Sequence, residues 1–553
     1  MKKYIILSVL FFSIQLFAQV APDKYYIQFT DKNNSPYSID QPEEFLTQRA
    51  LDRRANQGIA IVKNDIPVNP QYIQGVADLG AEILNATRWL NGLTIHTTSS
   101  SVLDAIMELP YVAGARALVD YPSGSQKSFF ENEFIRDLDY QKNTRSTDDF
   151  DFGAADFQID QINGIPLHEA GFRGQGMVIA VLDGGFIGAD VHPVFDSLWD
   201  NNQILGTKSF VNIGGTVFTE SEHGKKVLSC MGANDPGNMI GTAPKAAYWL
   251  LHSEDVKSEN VIEEYNWISA AEFADSVGAD VINSSLSYVD FDDPQWDHSY
   301  DDLDGNTAVA TRGGDLAASK GILVFNSAGN SGGSSFPWNG APADGDSVIS
   351  VGAVGYDNQR AGFSSIGPTT DGRIRPVVMG LGAGTTVAVG DFGISGGSGT
   401  SFSSPVIAGM STCLWQANPD MDVMEIMEAI KESGSSFGSP DNFMGWGIPD
   451  YELANSILTT IENPEKEYQK LLKVWPNPFK YAPQINIYLT NDQEVNLELR
   501  NISGAIVYSD NQFIKASISN LSTDWAWETL PAGIYFLKIN TRSTSDVVKL
   551  IKH

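Results

Sequence analysis

Four polar side chains, spread widely along the chain, are of the types that carry out acyl-transfer chemistry. They are Asp183, His223, Asn330 and Ser401. A serine hydroxyl is a weak nucleophile until an adjacent base takes its proton, and histidine can take and return a proton near neutral pH. A carboxylate orients such a histidine, and an amide N–H can stabilise the oxyanion that forms. The four residues therefore predict attack on a carbonyl group, provided that the fold brings them together.

The serine lies in a run whose local pattern suits a nucleophile. Residues 399–405 read Gly-Thr-Ser-Phe-Ser-Ser-Pro, after several glycines and before apolar residues at helical spacing. A hydroxyl at such a loop-to-helix transition lies close to the free N–H groups of the first helical turn, which can stabilise an oxyanion. Pro405 is tolerated near a helix start, where a missing N–H does least harm. The alternative interpretation is a glycine-rich turn whose Ser or Thr caps the helix without any chemistry.

Each of the other three residues also has an ordinary structural explanation. Asp183 directly follows the apolar run 178–182, where a carboxylate can equally cap a turn. His223 precedes Gly224 at the start of a predicted helix, and taken alone it reads as a surface or cap histidine. Asn330 ends another apolar run and is otherwise a turn former. Taken together, the four residues favour a catalytic role over these structural explanations. They occur in the order Asp, His, Asn, Ser, and each residue lies on the type of element that its catalytic role requires.

Residues 153–457 alternate apolar runs with helical patterns, which occupy 261–277 and 308–320. Continuous apolar runs are typical of strands that are covered on both faces. They lie at 178–182, 248–251, 281–282, 322–325 and 348–351. The order predicts an α/β fold with a doubly wound, mainly parallel sheet. Ligands bind such sheets at the carboxyl ends of the strands, which is where Asp183 and Asn330 are expected.

These motifs together resemble the subtilisin-like serine peptidases, or subtilases. The run at 399–405 is highly specific, the order Asp, His, Ser matches subtilisin, and 241–246 (Gly-Thr-Ala-Pro-Lys-Ala) is similar as well. The resemblance implies a secreted serine endopeptidase in which Ser401 attacks a peptide carbonyl and His223 removes its proton. Asp183 would then orient the imidazole, and Asn330 would complete an oxyanion hole with the Ser401 N–H.

The resemblance also implies how protein or peptide substrates bind. An extended substrate would pair with two strand segments, formed by Ser285, Leu286 and Ser287 and by Ser327, Ala328 and Gly329. Ser287 departs from the family, which usually has glycine there, so a side-chain pocket could be narrower. Residues 375–380 lack the family's usual Asp after Pro and its later Pro-Gly pair. Neither departure touches the candidate catalytic residues.

The resemblance implies no cofactor for the chemistry itself, but many subtilases bind structural calcium. The candidates for such a site are Asp301, Asp302 and Asp304, in an acidic loop at 291–306. The alternative is a solvated acidic loop, which the spacing favours because it departs from the alternating pattern of known calcium loops.

The first part of the chain has the features of an exported precursor. Residues 1–18 combine two early lysines with an apolar stretch and a small final residue, the pattern of a secretory signal. Residues 19–120 form a small α/β unit that resembles subtilase propeptides, which act as folding chaperones and inhibitors. An unrelated α+β accessory domain is the alternative. Residues 121–152 are polar and charged, and predict an exposed linker in which processing occurs.

The last part of the chain has a different pattern. After a linker at 458–470, residues 471–553 carry short alternating runs typical of a small antiparallel β-sandwich. A Pro-Asn-Pro start and the segment Leu-Pro-Ala-Gly-Ile-Tyr at 530–535 resemble the C-terminal sorting domain of type IX secretion substrates. This implies export through the periplasm, contact with outer-membrane secretion machinery, and a secreted or cell-surface location. The alternative is a carbohydrate- or protein-binding sandwich.

Composition limits the partners and leaves two other functions open. At 553 residues the chain has room for about three or four domains. Its net charge of −32, from 68 acidic and 36 basic residues, argues against nucleic acid as a partner. Cys230 and Cys413 fit no zinc pattern, and the sequence does not decide whether they pair.

The two functions other than a peptidase that the sequence leaves open are a catalytically silent adhesin on a subtilase scaffold and an acyl transferase or ligase.

Overall fold

The structure is a computed structural model, and it divides the chain into two compact units, Met1–Ile461 and Glu462–His553. The predicted signal at 1–18 and most of both predicted linkers lie outside the described residues. Within the part of the chain that is described, no helix combines the length and the apolar character needed to cross a membrane. The described residues are 23–118, 133–136, 151–461, 472–475, 479, 483–489, 493–514, 517–521, 525–541 and 545–552.

The N-terminal part of the first unit is an antiparallel sheet with three helices, in the strand order β2-β3-β1-β4. Its elements are β1 (Lys24–Phe29), α1 (Gln48–Asn56), α2 (Pro70–Asp78), β2 (Glu82–Thr87), β3 (Gly92–His96), α3 (Ser100–Met107) and β4 (Val112–Ala117). Apolar residues of the strands and helices, including Ile27, Leu93 and Ile106, form a core of their own. This architecture agrees with the small α/β unit expected for residues 19–120.

The rest of the first unit is built on seven parallel strands in the order β14-β13-β12-β11-β6-β10-β7. The strands that follow β4 are β5 (Phe134–Arg136), β6 (Val178–Asp183), β7 (Ile204–Ser209), β8 (Asn234–Asp235), β9 (Met239–Ile240), β10 (Ala247–His252), β11 (Val281–Ser284), β12 (Leu323–Ser327), β13 (Val348–Val354), β14 (Val378–Leu381), β15 (Ala383–Val389) and β16 (Gly393–Ser398).

Successive residues of β6 show why the strand reads as one apolar run. Ile179 and Val181 join one buried cluster, whereas Ala180 and Leu182 join another. Because successive side chains of a strand point to opposite faces, both faces of the sheet are covered. The doubly wound parallel sheet predicted from the sequence is therefore confirmed.

Helices supply the covering layers, and two of them begin at predicted catalytic residues. Helix α7 begins at His223, and α10 begins one residue before Ser401 and is buried along most of its length. The helices are α4 (Asp156–Asp160), α5 (Ile165–Glu169), α6 (Asp196–Asp200), α7 (His223–Gly232), α8 (Ile262–Val277), α9 (Val309–Ser319), α10 (Thr400–Ala417), α11 (Val423–Glu432) and α12 (Tyr451–Ile461).

A smaller antiparallel sheet, in the order β15-β16-β5, connects the predicted linker to this region. Phe134 of β5 pairs with Ser398 of β16, and Ile135 pairs with Gly397. Strand β16 ends just before α10 begins. A short piece of the predicted linker therefore lies directly beside Ser401.

The second unit consists of two antiparallel sheets, β17-β18-β21 and β20-β19-β22-β23. Ile487 from the first sheet and Leu497 and Leu537 from the second belong to one buried cluster, as a sandwich requires. The strands are β17 (Leu472–Trp475), β18 (Gln484–Leu489), β19 (Gln493–Asn501), β20 (Ile506–Ile514), β21 (Ser517–Leu521), β22 (Gly533–Asn540) and β23 (Ser545–Lys552).

Candidate active site

Asp183 and His223 form a buried hydrogen-bonded pair at the carboxyl end of β6, an interior strand of the parallel sheet. The Nδ1 atom of His223 lies 2.8 Å from Oδ1 and 3.0 Å from Oδ2 of Asp183. The Gly184 N–H also donates to Oδ1, at 2.7 Å, and so helps to fix the carboxylate. A carboxylate at Nδ1 selects the tautomer whose Nε2 faces outward as a base, and it stabilises the imidazolium that proton uptake produces.

Ser401 lies in the first turn of α10, where the sequence pattern predicted it. Pro405 has no N–H to donate to the carbonyl oxygen of Ser401 four residues earlier. The hydroxyl of Ser285 donates to that oxygen instead, at 2.9 Å. The backbone of the candidate nucleophile is thus tied to the segment after β11, and its N–H remains one of the free donors at the helix start.

Asn330 is oriented by the residue that precedes the serine. Its Oδ1 accepts from the Thr400 backbone N–H at 2.8 Å and from the Thr400 hydroxyl at 2.9 Å. The amide NH₂ group is the other branch of this side chain, so it points away from Thr400. A donor held in this way is preorganised, so it needs no rearrangement when an oxyanion develops.

The segments predicted to bind substrate follow two neighbouring strands, β11 and β12, of the parallel sheet. The carbonyl oxygen of Leu286 accepts from Asn326 at 2.8 Å, which joins the two segments. The Gly329 N–H donates to the Thr400 hydroxyl at 3.1 Å, which joins the second segment to α10. A side-chain carbon added at Gly329 would lie 3.4 Å from the Ser287 hydroxyl, so Ser287 faces the space between the segments.

Comparison with known proteins gives three successive family matches along the chain, which do not overlap. Residues 24–129 match the Peptidase S8 propeptide domain of Bacteroidota, residues 174–447 match the Subtilase family, and residues 473–553 match the secretion system C-terminal sorting domain. Subtilisin from Bacillus pumilus is 31% identical over 302 residues, which are 54% of this chain and 98% of that protein. The chain belongs to the subtilase family. Its relatives are serine peptidases, and its sorting domain indicates export to the surface or beyond.

Further subtilisins give the same result. Subtilisin NAT from Bacillus subtilis subsp. natto and Subtilisin E from Bacillus subtilis (strain 168) are each 30% identical over 302 residues. In both cases the match covers 54% of this chain and 70% of the relative. The matched length corresponds to the region of the parallel sheet, whereas the propeptide and the sorting domain have family models of their own.

The propeptide region of this subtilase docks on helix α8 through buried charges. Asp275 is fully buried and forms ion pairs with Arg53, Arg54 and Arg88, the Arg54 pair at 2.7 Å. Burial opposes the charged form of the carboxyl, but the guanidinium groups of Arg88, Arg54 and Arg53 outweigh it and lower the pKa of Asp275. One turn earlier, the Glu272 carboxylate accepts from the Thr87 hydroxyl at 2.7 Å and the Arg88 backbone N–H at 2.8 Å.

A second contact reaches the candidate base, His223. The Oε1 atom of Glu133, just before β5, lies 3.1 Å from Nε2 of His223. A side-chain carbon added at Gly399 would lie 3.1 Å from the same oxygen. The Glu133 carboxylate therefore occupies the space between the imidazole and the start of α10. Burial opposes protonation of the imidazole, but Asp183 and Glu133 outweigh it and raise the pKa of His223 to about 10.

Sequence reasoning missed Glu133 and the charged interface on α8. The linker around Glu133 was expected to be exposed, yet this side chain is only 8% exposed because it packs against His223 and Gly399. Two phenylalanines at 129–130 and Phe134-Ile135 interrupt the otherwise polar linker, and such apolar residues were a signal of a docked segment. The arginines of α1 read as ordinary surface residues, since nothing local indicates the partner that buries them.

The two cysteines and the acidic loop play no part in this geometry. Cys230 and Cys413 are free, buried thiols, and burial raises the pKa of both. In the acidic loop, Asp302 accepts from the Ser299 N–H at 2.8 Å and Asp304 accepts from the Asn306 N–H at 2.7 Å. These carboxylates, with Asp301 beside them, act as turn caps in the described chain, and calcium at this loop stays a prediction.

Proposed function

We propose that this subtilase is a secreted serine endopeptidase that hydrolyses peptide bonds through an acyl-enzyme, and that its propeptide region keeps it silent. The observation that carries the proposal is the buried Asp183–His223 pair at the end of β6, combined with a serine in the first turn of α10. This arrangement supports a base, its orienting carboxylate and a nucleophile at one sheet edge.

The chemistry assigned to these residues has two halves. His223 Nε2 takes the proton of the Ser401 hydroxyl as its oxygen attacks the peptide carbonyl, and the oxyanion is stabilised by the Asn330 amide and the Ser401 N–H. The protonated imidazole then gives its proton to the leaving amine, which departs and leaves an ester on Ser401. Water repeats the sequence with His223 as base, releasing the acid and restoring the serine.

The assignment of substrate follows from the two segments that the resemblance to subtilases marks for substrate binding. A peptide in extended conformation would pair with the segments 285–287 and 327–329, so that main-chain hydrogen bonds provide affinity and side-chain pockets provide selectivity. Ser287 would narrow one such pocket relative to a glycine. Protein substrates, rather than small esters, are therefore the expected class.

Inhibition by the propeptide region is supported by its two contacts with the catalytic part. The ion pairs on Asp275 attach the region to α8, and Glu133 occupies the face of His223 that must receive the serine proton. An imidazole that already holds a proton between two carboxylates cannot serve as a base. Cleavage of the linker after export would release Glu133 and free the imidazole, with the sorting domain directing passage through the periplasm and outer membrane.

The test is cleavage of an internally quenched peptide by the processed enzyme, with Ser401→Ala as control. Where self-processing does not remove the propeptide, limited proteolysis removes it first. We expect cleavage within the peptide by the wild type and none by the variant. Adding an amino-acid amide as competing nucleophile separates hydrolysis from ligation: mainly aminolysis products would replace the peptidase proposal with a ligase. Equal cleavage by both proteins would contradict the role of Ser401.

A further inference from the structure

Three glutamates meet where the loop after strand β10 joins helix α8, two of them from the loop and one from the first turn of the helix. They are Glu254, Glu259 and Glu263, and one carboxylate oxygen from each lies within 4.8 Å of the others. Glu254 and Glu263 are fully buried, and Glu259 is 5% exposed. Glutamate is rarely buried unless it is paired with a basic group or coordinates a metal. The proposed catalytic mechanism uses none of these three side chains, so their burial needs another explanation.

The hydrogen bonds in this loop leave two of the carboxylate oxygens without a donor. Oε2 of Glu254 accepts from the Tyr288 hydroxyl at 2.9 Å, and Oε1 of Glu263 accepts from the Asn260 N–H at 3.2 Å. Oε1 of Glu254 and Oε2 of Glu263 are buried, and among the described residues no N–H group and no hydroxyl donates to either oxygen. The hydroxyls of Ser253 and Ser258, in the same loop, are also buried without a partner. The loop thus holds several oxygen atoms that no protein donor satisfies.

The two fully buried glutamates have no basic side chain in direct contact within the described residues. In the described part of the chain, no Lys, Arg or His forms an ion pair with Glu254 or Glu263. A cation held among the three carboxylates would balance their charge and would give these buried oxygens a partner.

We propose that Glu254, Glu259 and Glu263 bind a calcium ion. All the available ligand atoms are oxygens, which selects a hard cation over zinc or a softer metal. Calcium binds oxygens at about 2.3–2.6 Å, so two ligands on opposite sides of the ion lie about 5 Å apart. The oxygens of the three glutamates fall within that span.

The site lies against the catalytic aspartate, which gives the ion a structural consequence. The Ser253 N–H donates to the carbonyl oxygen of Asp183 at 3.1 Å. A side-chain carbon added at Gly184 would contact Val256 and would lie 3.7 Å from Cβ of Glu254, so the loop packs directly on the turn after Asp183. An ion that joins the start and the end of this loop would hold it in place beside that turn. The ion takes no part in bond making or breaking.

The experiment counts calcium ions on the full-length chain in the Ser401→Ala background, which prevents self-digestion. The protein is stripped with a chelating resin and dialysed to equilibrium against calcium chloride, and bound calcium is measured by atomic emission. We expect Glu254→Gln and Glu263→Gln each to bind one ion fewer than the parent and to lose the rise in melting temperature that calcium gives the parent. Asp304→Asn is the matched control in the acidic loop, and it should keep both properties.

Three results would overturn the proposal. The parent could bind no calcium at all, which needs no variant to interpret. The glutamine variants could bind as many ions as the parent, in which case the cluster is held together by protons alone. The ion could instead be lost in Asp304→Asn, which assigns it to the acidic loop. Because every arm uses an inactive serine variant, none of these results depends on the proposed peptidase activity.

Discussion

Two carboxylates meet the imidazole of His223 from opposite sides, and they differ in how each is held. Asp183 ends a strand in the middle of the parallel sheet, is fully buried, and receives the Gly184 N–H. Glu133 belongs to a segment that the structure describes for only four residues, held by the pairing of β5 with β16. The first contact is at Nδ1 and the second at Nε2.

The difference separates Asp183, which is a permanent part of the site, from Glu133, which can be removed from it. A carboxylate at Nδ1 orients the ring and stabilises its positive charge, whereas one at Nε2 occupies the position from which the ring must take a proton. Under the proposed function, the same interaction therefore supports catalysis on one side and opposes it on the other. Only Glu133 is attached to a region that a cut in the linker can release.

The largest expected effect comes from Asp183→Asn in the processed enzyme. The amide cannot stabilise the imidazolium and favours the wrong tautomer, so kcat on an internally quenched peptide should fall about 10⁴-fold. Circular dichroism and the melting temperature serve as controls for folding. A loss below tenfold in a folded variant would mean that Asp183 is not the orienting carboxylate.

The next effect tests the buried ion pairs that attach the propeptide region to α8. Asp275→Asn in the full-length Ser401→Ala chain breaks the buried ion pairs of Arg53 and Arg88 and leaves Arg54 with Asp65 alone, which should cost about 3–5 kcal/mol in the free energy of unfolding. Urea denaturation measures it. Asp52→Asn, an exposed residue of α1 that accepts from Gln48, is the control and should change stability by less than about 0.5 kcal/mol. Equal stability of the two variants would contradict the interface.

A smaller effect is expected from Glu133→Gln with Ser401 intact. The neutral amide loses a charge-assisted hydrogen bond to His223 worth about 1.5–3 kcal/mol, so a fluorophosphonate should label the full-length band on a gel at least about tenfold faster. The control is Glu82→Gln, because Glu82 pairs with a different histidine, His96, on the surface of the propeptide region. Unchanged labelling in Glu133→Gln would show that Glu133 does not silence the enzyme.

The smallest effect is a shift in pH dependence. Because the pKa of His223 is raised to about 10 in the full-length chain, its ion pairs stabilise this state fully below about pH 6.5 and lose that contribution as pH rises through 10. Labelling of the full-length band should therefore increase between pH 7 and 10. The processed enzyme and Glu133→Gln, which lack one of the two carboxylates, should reach full labelling at lower pH. Coincident profiles would contradict the role of Glu133.

The sequence allowed the sheet and the catalytic candidates to be predicted because their signals are local. An apolar run marks β6, a glycine-rich turn before a helical pattern marks Ser401, and His223 begins a helix as expected. Glu133 and Asp275 could not be predicted, because their surroundings come from segments far away in the chain. The burial of Glu254 and Glu263 could not be predicted either, because it depends on how the loop between β10 and α8 folds.

The most direct test of the central claim is the site of covalent labelling in the processed enzyme. A fluorophosphonate adds to a serine oxygen only where a base removes its proton, and peptide mass spectrometry after labelling identifies the residue. The account predicts a single modified residue, Ser401, with no labelling in Ser401→Ala and strongly slowed labelling in His223→Ala. Folded, processed wild type that takes up no label, or takes it up at another serine, would contradict it.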